Sequence, residues 1–165
     1  MLEVRRLEDR DIDALNRELP VWSVLEYANR LRAQGRDQMV EVVAWEDGAP
    51  VGRGMVLFPE HDGFSASAVR EGCVEVRDVF VLPERRRRGV GREIISSLEG
   101  AARERGMLRI GLAVGLDDEA APARALYEEL GYRPAHGPFV TSATLAGDDG
   151  PIQVGAVLTY LVRDL

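Results

Sequence analysis

The chain has 165 residues, 28 acidic and 21 basic side chains, a net charge of −7 and 45% hydrophobic residues. That apolar content excludes disorder, and the acidic balance excludes a general nucleic-acid binder, which needs a basic face. No apolar leader follows Met1, no run of about 18 apolar residues occurs, and the single cysteine, Cys73, lacks an internal partner. A cytoplasmic chain that does not span a membrane is expected, forming one domain over 1–165.

The first elements are short. Leu2 to Leu7 reads as a strand, and Asp9 to Leu19 sets Ile12, Leu15 and Leu19 on one helical face. Ser23-Val24-Leu25-Glu26 has a capping-box pattern and opens a second helix, with Leu25, Ala28 and Leu31 as its apolar stripe and Gly35 as its stop. "MVEVVAW" (39–45) and "VGRGMVLF" (51–58) flank "EDGAP", a hairpin signal. The segment 59–72 is polar, contains glycine and reads as a loop.

The centre of the chain is more decisive. "VEVRDVFV" (74–81) is rich in β-branched and aromatic residues, as a strand requires. From Gly91 to Arg105, a helix buries Ile94, Ile95, Leu98, Ala101 and Ala102 and ends at Gly106. "LRIGLAV" (108–114) is the next strand, so this strand–helix–strand unit is a right-handed parallel crossover. Glu119 to Leu130 forms a helix with Pro122 in its first turn, stopped by Gly131. Two strands follow, around 139–145 and 154–162, with "AGDDGP" as the turn between them. About seven strands and four helices result: an α+β fold, a mixed, mostly antiparallel sheet with helices on both faces.

The junction "PERRRRGVGREI" (83–94) carries the chemistry. A helix start offers unpaired N–H groups and partial positive charge, glycine lets an anion approach the backbone, and arginine adds charge-assisted hydrogen bonds. A Walker loop is absent, since the chain has no lysine at all, and the dinucleotide fingerprint fails because Ile94 stands where its third glycine belongs.

"VRDVFVLPERRRRGVGREII" resembles motif A of the GNAT N-acetyltransferases, in which a strand is followed by [Q/R]-x-x-G-x-[G/A] opening a helix. Arg86, Gly89 and Gly91 match that pattern. "ARALYEELGYR" (123–133) resembles motif B of the same family, and "LTYLVRDL" its closing strand. The resemblance implies that the turn through Arg86, Arg87, Arg88, Gly89, Val90, Gly91 and Arg92 cradles the pyrophosphate of acetyl-CoA, the cosubstrate. One arginine among Arg85, Arg87 and Arg88 is available for the 3′-phosphate. It implies that the Val79 N–H meets the thioester oxygen and Val81 pairs with the pantetheine arm. Tyr127 is then the acid that protonates or positions the departing sulfur. Glu75 is the first candidate for the base and Asp78 its rival. On a regular strand these two face opposite sides, and a bulge would change that. Many family members carry an asparagine seven positions before the motif B tyrosine; here that position is Ala120.

Two further features complete the reading. His61 and His136 have no cysteine or carboxylate at ligand spacing, so no metal is expected. His136 lines either the acceptor pocket or the surface, Trp22 and Trp45 the core or a pocket wall, and Cys73 a strand start. The function implied is acetyl transfer from acetyl-CoA to a primary amine, with a small-molecule acceptor such as an amino acid derivative, in a ternary complex. A protein N-terminus or lysine as acceptor, and a non-catalytic acyl-CoA sensor, are the alternatives. No nucleic-acid or membrane partner is expected, and homodimers are frequent in the family.

Overall fold

The computed structural model describes residues 1–147 and 150–165, with side chains described outside 143–149 and 151. In chain order the elements are β1 (Leu2–Arg6), α1 (Ile12–Glu18), α2 (Glu26–Gly35), β2 (Met39–Glu46), β3 (Ala49–Leu57), α3 (Ala66–Glu71), β4 (Val74–Val81), α4 (Val90–Glu104), β5 (Arg109–Gly115), α5 (Ala121–Glu129), β6 (Arg133–Gly147) and β7 (Gly150–Asp164), with 3-10 turns at Asp9–Asp11 and Pro83–Arg85.

The strands form one sheet in the order β1-β2-β3-β4-β5-β7-β6. Only β4 and β5 are parallel, and they pair at just two positions, Val74 with Ile110 and Glu75 with Gly111. Beyond Glu75 the two strands part, and this opening positions everything that follows. The β2–β3 hairpin closes through Asp47 and Gly48, both at positive φ (52° and 82°), as a tight twisted hairpin turn demands.

Two cores lie on opposite faces of the sheet. On one, Ile94, Ile95 and Leu98 of α4 are fully buried against Val42, Val56, Val76 and Ile110. Each such side chain contributes about 1.5–3 kcal/mol. On the other, Leu15, Leu19 and Tyr27 of the first two helices pack on Val43 and Trp45. The mixed sheet with helices on both faces is the architecture expected.

Several local expectations need correction. Segment 59–72 is not all loop: Ser65 Oγ accepts the Ala68 N–H and starts α3, so the described residues hold five α-helices where the pattern gave four. The buried stripe of α2 is Tyr27 and Arg30, not Leu25 and Ala28, and Leu25 is exposed. Polar bonds rotate that helix, because the Tyr27 hydroxyl donates to the Leu19 carbonyl (2.5 Å) and Arg30 is drawn to carboxylates beneath it. Ser23 makes no capping box; its Oγ accepts only the Leu25 N–H. Trp22 is 83% exposed and lines no core, whereas Trp45 is buried. The last two strands are longer than the apolar pattern indicated, 15 residues each. The turn expected at 146–151 includes 148 and 149, which lie outside the described residues.

Candidate active site

The arginine–glycine turn begins as β4 ends. Pro83 starts a single 3-10 turn, Arg87 takes positive φ (63°), and Gly89 caps α4 at φ 84°. The first helical bond to that cap is Glu93 N–H to Gly89 O (3.1 Å), so the N–H groups of Val90, Gly91 and Arg92 have no acceptor one turn back. Gly91 faces α5: a Cβ built there would lie 3.3 Å from Leu126 Cδ2. Such backbone donors at a helix start can receive an anion.

The arginines of the run have separate fates. Arg85 is paired with Glu46 of β2. Arg86 folds back, its Nε donating to the Val81 carbonyl at 3.0 Å and its guanidinium 5.9 Å from the Phe80 ring. Arg87 is exposed; Arg88 lines a separate groove with Leu2 and Val4, on the β1 side of α4. Arg92 pairs with Glu129 of α5 at 2.8 Å.

Where β4 and β5 part, a cleft of about 580 Å³ opens, lined by residues that include Glu75, Arg77, Asp78, Val79, Leu112, Tyr127 and Tyr160. Tyr127 comes from α5 and is 8% exposed; burial pushes its hydroxyl up to about 12, so it carries its proton at neutral pH. The ring stands edge-on to Tyr132 (centroids 5.9 Å), whose hydroxyl donates to Glu99 of α4 at 2.9 Å. Arg163 of β7 also binds Glu99, at 2.7 Å. The face that presents Tyr127 is therefore fixed to both α4 and the sheet.

Strand β4 contains the bulge that decides the carboxylates. Its pairing with β3 slips between Arg53–Phe80 and Met55–Arg77, and Asp78 takes positive φ (54°). Val74 and Val76 face α4; so does Val79, which lies near the position a Cβ on Gly54 would take, beside Ile94 and Leu98. Glu75, Arg77 and Asp78 therefore share the opposite face, and Asp78 joins Glu75 in the cleft despite the odd spacing. Val79 lies in this bulge, and the Val81 carbonyl already accepts from Arg86.

The two carboxylates are held differently. Glu75 is 3% exposed. Its Oε1 accepts the Ser65 hydroxyl (2.6 Å) and, more distantly, the Tyr160 hydroxyl (3.5 Å), while Oε2 accepts the Ser65 N–H and Arg77. Asp78 accepts Arg30 (2.7 Å) and Arg53 on Oδ2 alone; among the described residues Oδ1 has no partner. Beneath them, Arg30 also binds Glu26 and the fully buried Glu41, each at 3.0 Å. Burial raises Glu41 to about 7, and its second oxygen has no hydrogen bond. Sequence reasoning missed Arg30, Arg53, Glu41, Ser65 and Tyr160. An arginine within an otherwise apolar strand stretch, Arg53 of "VGRGMVLF", was the available signal.

The remaining candidates lie at the margin. Ala120 donates its N–H to Asp117 Oδ1 (2.7 Å), and Arg124 clasps the carbonyls of Gly115 and Asp117, so this loop is closed by its own chain. His136 stacks on Tyr160 (centroids 5.1 Å) and bonds Glu71 and Ser67, which puts it one layer behind the cleft. His61 accepts the Gly63 N–H. Cys73 is buried, its thiol pushed up by burial. Among the described residues no three potential metal ligands gather, and no helix is long and apolar enough to cross a membrane.

Fold and cleft together define an acyltransferase of the N-acetyltransferase class. The family model for the acetyltransferase (GNAT) family matches residues 3–132, and the chain belongs to that family. Solved structures share the fold at low identity. An N-acetyltransferase from Staphylococcus aureus superposes with a TM-score of 0.71 at 12% identity, covering 99% of this chain and 98% of that one. A ribosomal-protein-alanine N-acetyltransferase from Brucella melitensis gives 0.67 at 21%, covering 99% of both. The Thermoplasma acidophilum PaiA N-acetyltransferase, in complex with coenzyme A, gives 0.66 at 13%, covering 100% and 99%. No curated protein matches the chain in sequence.

Proposed function

We propose that the chain, as one catalytic domain over 1–165 in the cytoplasm, transfers the acetyl group of acetyl-CoA to a primary amine of a small molecule by direct attack. The observation that carries this is the cleft at the β4–β5 opening, which brings a proton-bearing Tyr127 and the solvent-facing Oδ1 of Asp78 together beyond the N-terminus of α4.

The residues fit acetyl-CoA. Backbone N–H groups from Val90 to Arg92 would take the pyrophosphate, with Arg87 as the free arginine beside them. The β4 edge that β5 leaves from Val76 onward would take the extended arm. Bound acetyl-CoA supplies a thioester whose carbonyl carbon gains the acceptor nitrogen as the C–S bond breaks. Asp78 Oδ1 docks the ammonium and, directly or through water, accepts its proton. Asp78 suits this task better than Glu75, both of whose oxygens already accept donors. Tyr127 holds its proton until the sulfur needs it. The Val79 N–H, in the bulge, is the donor for the carbonyl oxygen.

Calorimetric titration with acetyl-CoA, followed by thiol release with a panel of amines, tests the reading. Tight binding and turnover are expected, with kcat in Tyr127→Phe lowered about 10²–10⁴-fold at similar acetyl-CoA affinity. Binding without turnover of any amine would leave an acyl-CoA sensor, and no binding would remove the transferase.

A further inference from the structure

The β4 bulge has a second effect. Adjacent strand residues normally point to opposite faces, yet here Arg77 and Asp78, of opposite charge, share one face and one cleft. They do not pair with each other. Arg77 uses Nε and Nη2 on a single oxygen of Glu75 (3.1 and 3.0 Å), and among the described residues its Nη1 has no partner. Its side chain is 39% exposed. Asp78 spends Oδ2 on Arg30 and Arg53 and keeps Oδ1. One unspent cationic donor and one unspent anionic acceptor thus stand on neighbouring residues of the same wall.

We infer that the acceptor is a free α-amino acid, whose amine binds Asp78 Oδ1 and whose carboxylate binds the Arg77 guanidinium. The inference rests on the transferase reading and names its substrate. An α-amino acid carries an ammonium and a carboxylate on one carbon, and this cleft wall presents one group of each opposite charge, Asp78 and Arg77. Arg30, Arg53 and Arg77 are already paired among Glu26, Glu41, Glu75 and Asp78, and a zwitterion leaves the net charge of that cluster unchanged. Met55, Phe139 and Leu158 line the same cleft beside Ser67 and Thr141, and the apolar three offer contact to an aliphatic or aromatic side chain.

The test compares L-leucine and L-phenylalanine with their carboxamides and with isoamylamine and phenethylamine. It uses the full-length protein with acetyl-CoA for turnover and with coenzyme A for calorimetric binding. A charge-assisted pair makes the free acids better than the amides by about 10- to 100-fold in kcat/KM and in affinity. The amides are intrinsically the easier amines to deprotonate, so this order would come from recognition. In Arg77→Gln the acid-to-amide ratio is expected to fall to near 1, and Arg77→Lys to restore part of it. Equal or better use of amides and amines by the wild type overturns the inference and leaves the transferase standing, as does a ratio unmoved in Arg77→Gln. Should Arg77→Gln fail to fold, the wild-type ratio decides alone. Failure of acetyl-CoA to bind removes both readings.

Discussion

In the proposed mechanism, Asp78 is the residue on which the chemistry turns. It takes positive φ, which aspartate tolerates better than most residues other than glycine, and Arg30 and Arg53 hold its Oδ2 there while Arg53 also donates to its carbonyl. Asp78→Asn is expected to lower kcat/KM about 10²-fold or more while acetyl-CoA affinity stays within a few fold, measured by steady-state kinetics and calorimetry. Glu75→Gln is expected to act less directly, because its oxygens serve Ser65 and Arg77. The family resemblance named both carboxylates and put Glu75 first, whereas the hydrogen bonds favour Asp78. Their ranking depends on which oxygens are already satisfied, and the donors come from segments far away in the chain: Ser65, Arg53 and Arg30.

The elements themselves were largely readable. Strand β4 and helix α4 announce themselves through β-branched residues and a 3.6-residue apolar period, and motif matches fixed the turn between them. Helix α3 escaped because six residues with one capping serine show no full period. The face of α2 was misread because an arginine and a tyrosine hydroxyl, not apolar residues, decide what it buries. The packing of α4 against β3 makes a sharp test. A Cβ on Gly54 would lie 2.8 Å from Ile94 Cγ2 and 3.3 Å from Val79 Cγ2, at the bulge itself. Gly54→Val is expected to cost about 1–3 kcal/mol by denaturant unfolding, and more in activity than that loss explains, since it pushes on the strand that aims Asp78.

For the molecule as a whole, the buried charge cluster ties stability to pH. Glu41 holds its proton to about 7 in the fold, against 4.5 when free. Between those values the unfolded chain binds fewer protons than the native one, so this group's stabilising contribution is complete below pH 4.5 and is lost as pH rises to 7. Thermal unfolding of Glu41→Gln across that window is expected to show a shallower decline than the wild type, with the two curves parallel above it. Nothing in the sequence marks Glu41 as different from any other strand glutamate. Its character comes from complete burial between Arg30 and the sheet.

The two backbone pairings that join β4 to β5 have a mechanical meaning. They make the sheet two leaves on a short hinge at Val74 and Glu75, one leaf holding β1 to β4 and the other β5 to β7. Away from that hinge, no further backbone pairing of β4 with β5 occurs among the described residues, and the leaves are bound through α3, α4 and α5 and through side chains such as Tyr160 on Glu75. In the proposed complex, a ligand arm laid along the free edge of β4 would act as a temporary strand, completing the sheet while it is present and leaving it split when it departs.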